Sequence, residues 1–441
     1  MKSRLIQNVT ASKNPQRRDL LSDGKSPDEL LQEAKNLSVA DIETIEEELI
    51  TDNQVYEGIT FSAKLDTKLK NEVAIFFVVD EDGQYRVRAF NAVQPMLDTD
   101  CHKPLPISFS QQMAGENVSE KLRDIPGEMR RYSEESPEAR QIIKWLIKLR
   151  KELKSCQQEL SYVIINDQTD FEIPWEMLQW RERSEENKKI QHYLGTSFIT
   201  IRWQDIDNPD PECWNEDDNL LDLKFEPKEC TGNIIAYTNT TDFKSVEQEI
   251  STLRQFNATC HNNLDDFFRE LEKIKAGISL VYIASHGFFD EDISKASIGE
   301  IEKRVSLTTI YKYNLDCLED SIVFLNACHS GRLRKDSKMS QDYRKGFATF
   351  FLKRGARGVI GTLGKVIDQY AVKVSHNFFA ESQRSPNISV AAILRNIRKQ
   401  IAEIYEEQKD DETERLFLVT FMYVYYGNPM TVLRLLKTGG G

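Results

Sequence analysis

The sequence predicts an α/β fold: a mostly parallel sheet flanked by helices, with an N-terminal α+β region that contains an antiparallel meander. Three observations carry this. Ile278–Gly287 and Ser321–Gly331 are apolar runs with β-branched and aromatic residues on both faces, and each stops in small residues and a glycine. That is the pattern of strands buried within a parallel sheet. From Leu160 onward, short apolar runs alternate with helical periodicity, as βα units require. Further upstream, Ile59, Phe61, Ala63 and Leu65 alternate with polar residues, and Tyr85, Val87 and Ala89 alternate with Arg86 and Arg88 after an Asp82-Gly83 turn. Period-two alternation around Asp-Gly reads as antiparallel strands.

Whole-chain properties narrow the class. A chain of 441 residues allows two or three domains. Hydrophobic residues make up 40% and charged residues 29%, the balance of a globular protein. No apolar run reaches the roughly 18 residues needed to span a bilayer, so no membrane is expected. The net charge of −13 disfavours nucleic acid as a direct partner. Seven cysteines, an odd number without framework spacing, point to a reducing cytoplasm. Met1–Leu5 has no apolar core behind it, so no secretory signal is expected.

In chain order, residues 1–25 are polar and read as a flexible arm. Ser26-Pro27-Asp28-Glu29 starts one helix and Ser38-Val39-Ala40-Asp41 a second. With Val55–Pro95, where Val73–Val79 is a continuous apolar run, they make up an N-terminal domain over 26–130. It either serves regulation and partner docking or extends the main sheet. Gln111–Arg131 is polar and reads as a loop. Ser136-Pro137-Glu138 caps a linking helix to Leu153, whose Ile142, Ile143, Trp145, Leu146 and Leu149 form an apolar stripe; the link spans 131–157. The principal domain covers 158–437. Its expected strands are Ser161–Asn166, Thr196–Trp203, Asn233–Thr238, Val359–Leu363 and Phe417–Tyr426. Its expected helices are Val246–Phe256, Asn263–Ala276, Phe347–Arg354, Asp368–Glu381 and Val390–Tyr405. Asp205–Glu229 is acidic and reads as an exposed loop, Phe288–Val305 as a mobile loop, and Arg332–Arg344 as a charged activation loop. Residues 438–441 are a glycine tail.

The chemistry sits where the two buried runs end. Functional groups gather at the carboxyl ends of parallel strands, so His286 and Cys328, 42 residues apart, are expected side by side. A thiolate is the nucleophile of cysteine chemistry, and an imidazole takes its proton. The N–H groups of Gly287 and Cys328 are candidates for an oxyanion hole. No acid is obvious as a third member. The alternative is an inert buried cysteine and a hydrogen-bonded histidine. Zinc is disfavoured, because Cys328 and His329 are adjacent and point apart on a strand. No metal or other cofactor is expected. Ser285, Asn326 and Asp368 are candidate substrate contacts.

Ser285-His286-Gly287 followed by Ala327-Cys328-His329-Ser330-Gly331 resembles the caspase-like cysteine peptidases of clan CD, and more specifically the CHAT domain. Ile173-Pro174-Trp175-Glu176-Met177-Leu178, Gly355–Leu363 and Tyr426-Gly427-Asn428-Pro429 are similar to further CHAT segments in the same order, over Glu159–Leu436. One departure is Gly364, where CHAT domains usually carry Trp. Asn326, two residues before the cysteine, stands where metacaspase-like relatives typically carry Asp against a basic P1 side chain, so the resemblance implies a neutral or apolar P1 here. The resemblance implies a caspase-like fold and a cysteine endopeptidase acting on a protein substrate through the His286–Cys328 dyad. It also implies a bacterial effector of antiviral defence or cell death, under a regulatory protein or activator that engages the N-terminal domain. A catalytically silent scaffold for protein–protein interaction and an acyltransferase using the same thioester chemistry are the alternatives.

Overall fold

The structure is a computed structural model that describes residues 71–81, 83–91, 93–100, 118–183, 189–203, 227–290, 292–335 and 344–435. Every described residue belongs to one compact unit, Asp66–Gly441. The expected arm, the two N-terminal helices, the Ile59–Leu65 strand, most of the acidic segment and the glycine tail lie outside the described residues.

Eleven strands among the described residues form one sheet. In chain order they are β1 Val73–Glu81, β2 Gln84–Phe90, β3 Leu97–Asp98, β4 Tyr162–Asp167, β5 Ile199–Trp203, β6 Asn233–Thr238, β7 Thr259–His261, β8 Ile278–Ala284, β9 Ile322–Asn326, β10 Gly358–Thr362 and β11 Tyr423–Gly427. Across the sheet the order is β7-β6-β8-β9-β10-β11-β5-β4-β1-β2-β3. Neighbours are parallel except β1–β2, β2–β3 and β10–β11. All residues of β8 and β9 are buried, which is why neither strand shows alternation in the sequence. Helices Val246–Arg254, Asp368–Arg384, Val390–Gln408 and Asp411–Met422 pack on one another beside the sheet. Among the described residues no helix is long and apolar enough to cross a membrane.

The meander's described strands are part of this sheet. β1 pairs antiparallel with β2 and parallel with β4, so the residues that look like a separate region extend the main sheet.

Several expected elements differ, three of them substantially. The loop expected over Gln111–Arg131 contains a helix, Val118–Glu135, despite Pro126 in its interior. Burial of Ile125, Met129 and Tyr132 on one face overrides the local preference. The loop expected over Phe288–Val305 holds a small antiparallel sheet of His286–Phe288, Ser297–Gly299 and Arg304–Ser306. Strands of three residues are too short to display a period, and buried Ile298 anchors this one. The strand expected over Phe417–Tyr426 begins as a helix, Asp411–Met422. The run is apolar throughout, so only the Asp410 side chain accepting from the Thr413 amide marks the helix start.

The Pro-Trp-Glu segment turns out to be a brace. Trp175 Nε1 donates to Asp167 Oδ2 at 3.0 Å. Arg202 on β5 grips Glu176 through two hydrogen bonds, of 3.0 and 2.7 Å, and donates to the Ile173 carbonyl. Beside it, Arg398 donates to Thr200 Oγ1 and to the Tyr423 carbonyl, so β5, β11 and a long helix meet at one cluster. Burial opposes ionisation of Glu176, but Arg202 outweighs it and holds the carboxyl below the usual range. Glu176→Ala leaves buried guanidinium groups without their anion and should cost about 3–5 kcal/mol in urea unfolding. Because the folded carboxyl is the stronger acid, this contribution is full above the unfolded value of about 4.3. It fades as pH falls through the folded value, so the gap between wild type and Glu176→Gln should narrow in acid.

Candidate active site

The register of β8 on β9 builds the site. Their partners run from Leu280↔Ile322 to Ala284↔Asn326. His286 and Cys328 each lie two residues past the last pair, so the 42-residue offset that the sequence suggested is the observed one. The chain past β8 folds directly over the cysteine peptide. A Cβ on Gly287 would fall 1.8 Å from the Cys328 carbonyl oxygen and 3.0 Å from its nitrogen, so this approach requires glycine.

His286 and Cys328 line one cavity of about 330 Å³, together with Ser285, Asn326 and Asp368. All the side chains nominated from sequence are therefore brought together, but not all are free to bind. Ser285 Oγ donates to the His286 carbonyl at 3.0 Å. Asp368 Oδ2 accepts from the Ser245 amide at 3.2 Å. Asn326 is fully engaged: its Nδ2 lies 3.0 Å from the Tyr282 hydroxyl and also donates to Glu249, while Tyr423 donates to its Oδ1.

The thiol is held from several sides. The Val366 amide donates to Cys328 Sγ at 3.3 Å. The amides of Gly287 and of Cys328 itself also face the sulfur, and burial outweighs all three to push the thiol above its ordinary value. His286 packs between Phe243 and Phe288, with ring centroids 4.6 and 6.0 Å away. Burial lowers the imidazole, opposed by Asp242 and reinforced by Arg304. Both groups therefore rest neutral near pH 7, a protonated acid beside an available base.

Asp242 lies beside His286, where sequence reasoning found no acid. Its Oδ2 lies 3.5 Å from His286 Nε2, close enough for charge stabilisation though longer than a hydrogen bond. The Asn239 side chain and the Ile301 amide hold the same oxygen at 2.9 and 3.1 Å. These bonds, the Asn239 one foremost, keep the carboxyl below its usual value. The clue was positional: Asn239–Asp242 directly follows the predicted strand Asn233–Thr238, on the functional edge of a parallel sheet.

His329, next to the cysteine in sequence, is placed apart from the cavity. It is buried with φ 60°, its ring packs against Phe289, and burial lowers its pKa to about 3.

A mostly parallel α/β sheet with histidine and cysteine at the ends of adjacent central strands is a caspase-like architecture. The chain belongs to the CHAT domain family, whose model matches residues 136–417. No curated protein matches its sequence. Among solved structures, the Saccharomyces cerevisiae separase–securin complex is similar with TM-score 0.48 and 13% identity, over 85% of this chain and 31% of that one. The Arg-specific cysteine proteinase gingipain R is similar with TM-score 0.37 and 12% identity, over 74% and 71% of the two chains. The complex of Porphyromonas gingivalis RgpB pro- and mature domains gives 0.36 and 12%, over 74% and 76%. This chain thus spans about a third of the separase chain's length.

A thiol raised by burial ionises late. Iodoacetamide alkylation of Cys328, read by intact mass, should keep climbing with pH beyond the ordinary thiol value of about 8.5. A rate already level at neutral pH would contradict the neutral resting pair.

Proposed function

We propose that this protein is a cysteine endopeptidase that cuts a protein substrate with His286 and Cys328. The observation that carries the reading is the convergence of His286 and Cys328 on one cavity, fixed by strand register, with Gly287 packed on the Cys328 backbone. His286 takes the Sγ proton as the sulfur attacks the peptide carbonyl. The oxyanion is held by the Gly287 and Cys328 amides, already oriented toward the reacting sulfur. His286 then protonates the leaving amine, and the acyl-enzyme is hydrolysed by a water that His286 deprotonates. Asp242 stabilises the imidazolium formed in each half-reaction.

The dyad is part of a wider proposal: a cytoplasmic effector of bacterial antiviral defence or cell death, switched on by a regulatory protein through its N-terminal region. The family membership supports it, as does a resting site whose nucleophile is protonated. Full activity of the isolated chain would sink the regulated form of this idea. The scaffold alternative is favoured by the same protonated thiol, since an unused cysteine would also rest that way.

Cleavage of a mixed peptide library, read by mass spectrometry, decides between them. Cuts made by wild type and missing with Cys328→Ala establish the peptidase. An absence of cuts, even with lysate of the native host added, supports the scaffold. Gly287→Ala forces its Cβ into the Cys328 carbonyl and should lower kcat/KM by about 10²-fold or more through the displaced oxyanion donor. Asp242→Asn should lower kcat less than His286→Ala, which should lose roughly 10²–10⁴-fold. Since the Asp242 charge raises the imidazole, its removal should also move the acid limb of the pH–rate profile to lower pH. A purely structural role would leave that limb in place.

A further inference from the structure

Resting on the peptidase reading above, we infer that the cavity selects an extended cationic side chain, lysine or arginine, at P1, and that Glu249 together with Asp368 makes the selection. This reverses the neutral or apolar preference drawn from Asn326 alone.

The cavity is acidic although the residue two before the nucleophile is neutral. Asp242, Glu249 and Asp368 line it, with Lys244 the one Lys or Arg among the lining residues, and Lys244 is exposed. Asp242 serves His286. That leaves Asp368 at the start of one helix and Glu249 in the first turn of another. Glu249 is 3% exposed and yet lines the cavity. Its Oε1 is held by the Tyr282 hydroxyl at 2.5 Å and by Asn326 Nδ2, and Asn326 is itself fixed by Tyr423. Asn326 is thus the bracket for a carboxylate supplied by the facing helix Val246–Arg254. The negative charge has moved from the cysteine strand to that helix.

Among the described residues no cation is ion-paired with Glu249. Burial accordingly raises its carboxyl to about 7, with the Asp368 charge adding to the rise. A buried acid without a cation is unfavourable. An ammonium or guanidinium group entering the cavity supplies the missing partner, and Ala284, Val366 and Ala371 give an apolar lining for its stem. A neutral P1 chain leaves both acids unpaired, and an acidic one adds repulsion.

The test compares peptides differing only at P1, with Arg, Lys, Leu or Asp, on the full chain and on Glu249→Gln and Asp368→Asn. Glu249→Gln keeps the shape and the hydrogen bonds to Tyr282 and Asn326. Basic P1 should exceed Leu in kcat/KM on the order of 10²-fold, and Glu249→Gln should erase most of that ratio, chiefly through KM. Equal loss for Arg and Leu peptides would assign Glu249 a structural role and overturn the inference. So would a wild type that prefers Leu. A calorimetric titration of agmatine into Cys328→Ala and into Cys328→Ala/Glu249→Gln separates this inference from the peptidase reading. Binding lost with Glu249 supports the acidic pocket even if no peptide is cut, and absence of binding to Cys328→Ala overturns it even if peptides are cut after neutral residues.

Discussion

The site depends on one constraint, the parallel register of two buried strands. β8 and β9 pair with a 42-residue offset, and carrying that offset past the strand ends sets His286 beside Cys328. A slip of one residue would turn every side chain of one strand to the opposite face and part His286 from Cys328. Burial on both faces forbids the slip, because it would have to repack two layers at once. The remaining motifs act as braces on the cysteine turn. Thr362, at the end of β10, donates to the Ala327 carbonyl at 2.7 Å, and its amide donates to Ser330 Oγ. Tyr426 on β11 donates to the Gly331 carbonyl at 2.7 Å. Gly331 and Gly361 are in backbone contact that a Cβ would crowd. Segments nearly a hundred residues apart in sequence therefore serve a single turn.

Charge is handled in two different ways around that turn. Behind it, Arg332 is almost wholly buried, donates to Glu172 at 2.8 Å and stacks on Phe289 at 3.5 Å. Arg334 shares Glu172, and Arg344 pairs with Asp170. These pairs fasten the segment that follows the nucleophile to the loop that follows β4. A guanidinium that loses its acid in such a place is left desolvated, so the arrangement tolerates few changes. In front of the turn the reverse holds: among the described residues Asp242, Glu249 and Asp368 are ion-paired with no Lys or Arg, and burial favours the neutral thiol and imidazole. On one side of the cysteine the arginines have carboxyl partners, and on the other the carboxyls line an open cavity.

The sequence displayed the parallel core, the strand ends, the adjacent histidine and cysteine and the glycine that closes over the cysteine, because each leaves a local mark: a continuous apolar run, a small-residue stop, a lone reactive side chain. It did not display the helix around Pro126, where partners distant in the chain decide, or the helical half of Phe417–Tyr426, where apolarity on all sides erases the period. Asp242 was unreadable as a third member because its role lies in a turn geometry set by Asn239 and by an amide from a different loop, Ile301. The meander was legible as strands, but nothing local told that β1 would join β4, since parallel pairing joins segments about ninety residues apart.

Asn326 shows why pocket chemistry is harder to read than catalytic chemistry. A nucleophile and its base are single atoms at positions that a strand can dictate. The charge of a pocket is a sum over elements, here a strand, two helices and a turn, and a neutral residue at one position says nothing of the total. Asn326 is neutral because it donates to a carboxylate; an aspartate there would face Glu249 across a hydrogen bond and repel it. The same sum bears on the thiol. Burial opposes ionisation of Cys328, in the same cavity that Glu249 and Asp368 line. A cation bound in that cavity attracts a thiolate as well as the two carboxyls, so an occupant that satisfies the pocket also lowers the cost of forming the nucleophile. On that argument, binding and activation at this site draw on one electrostatic source.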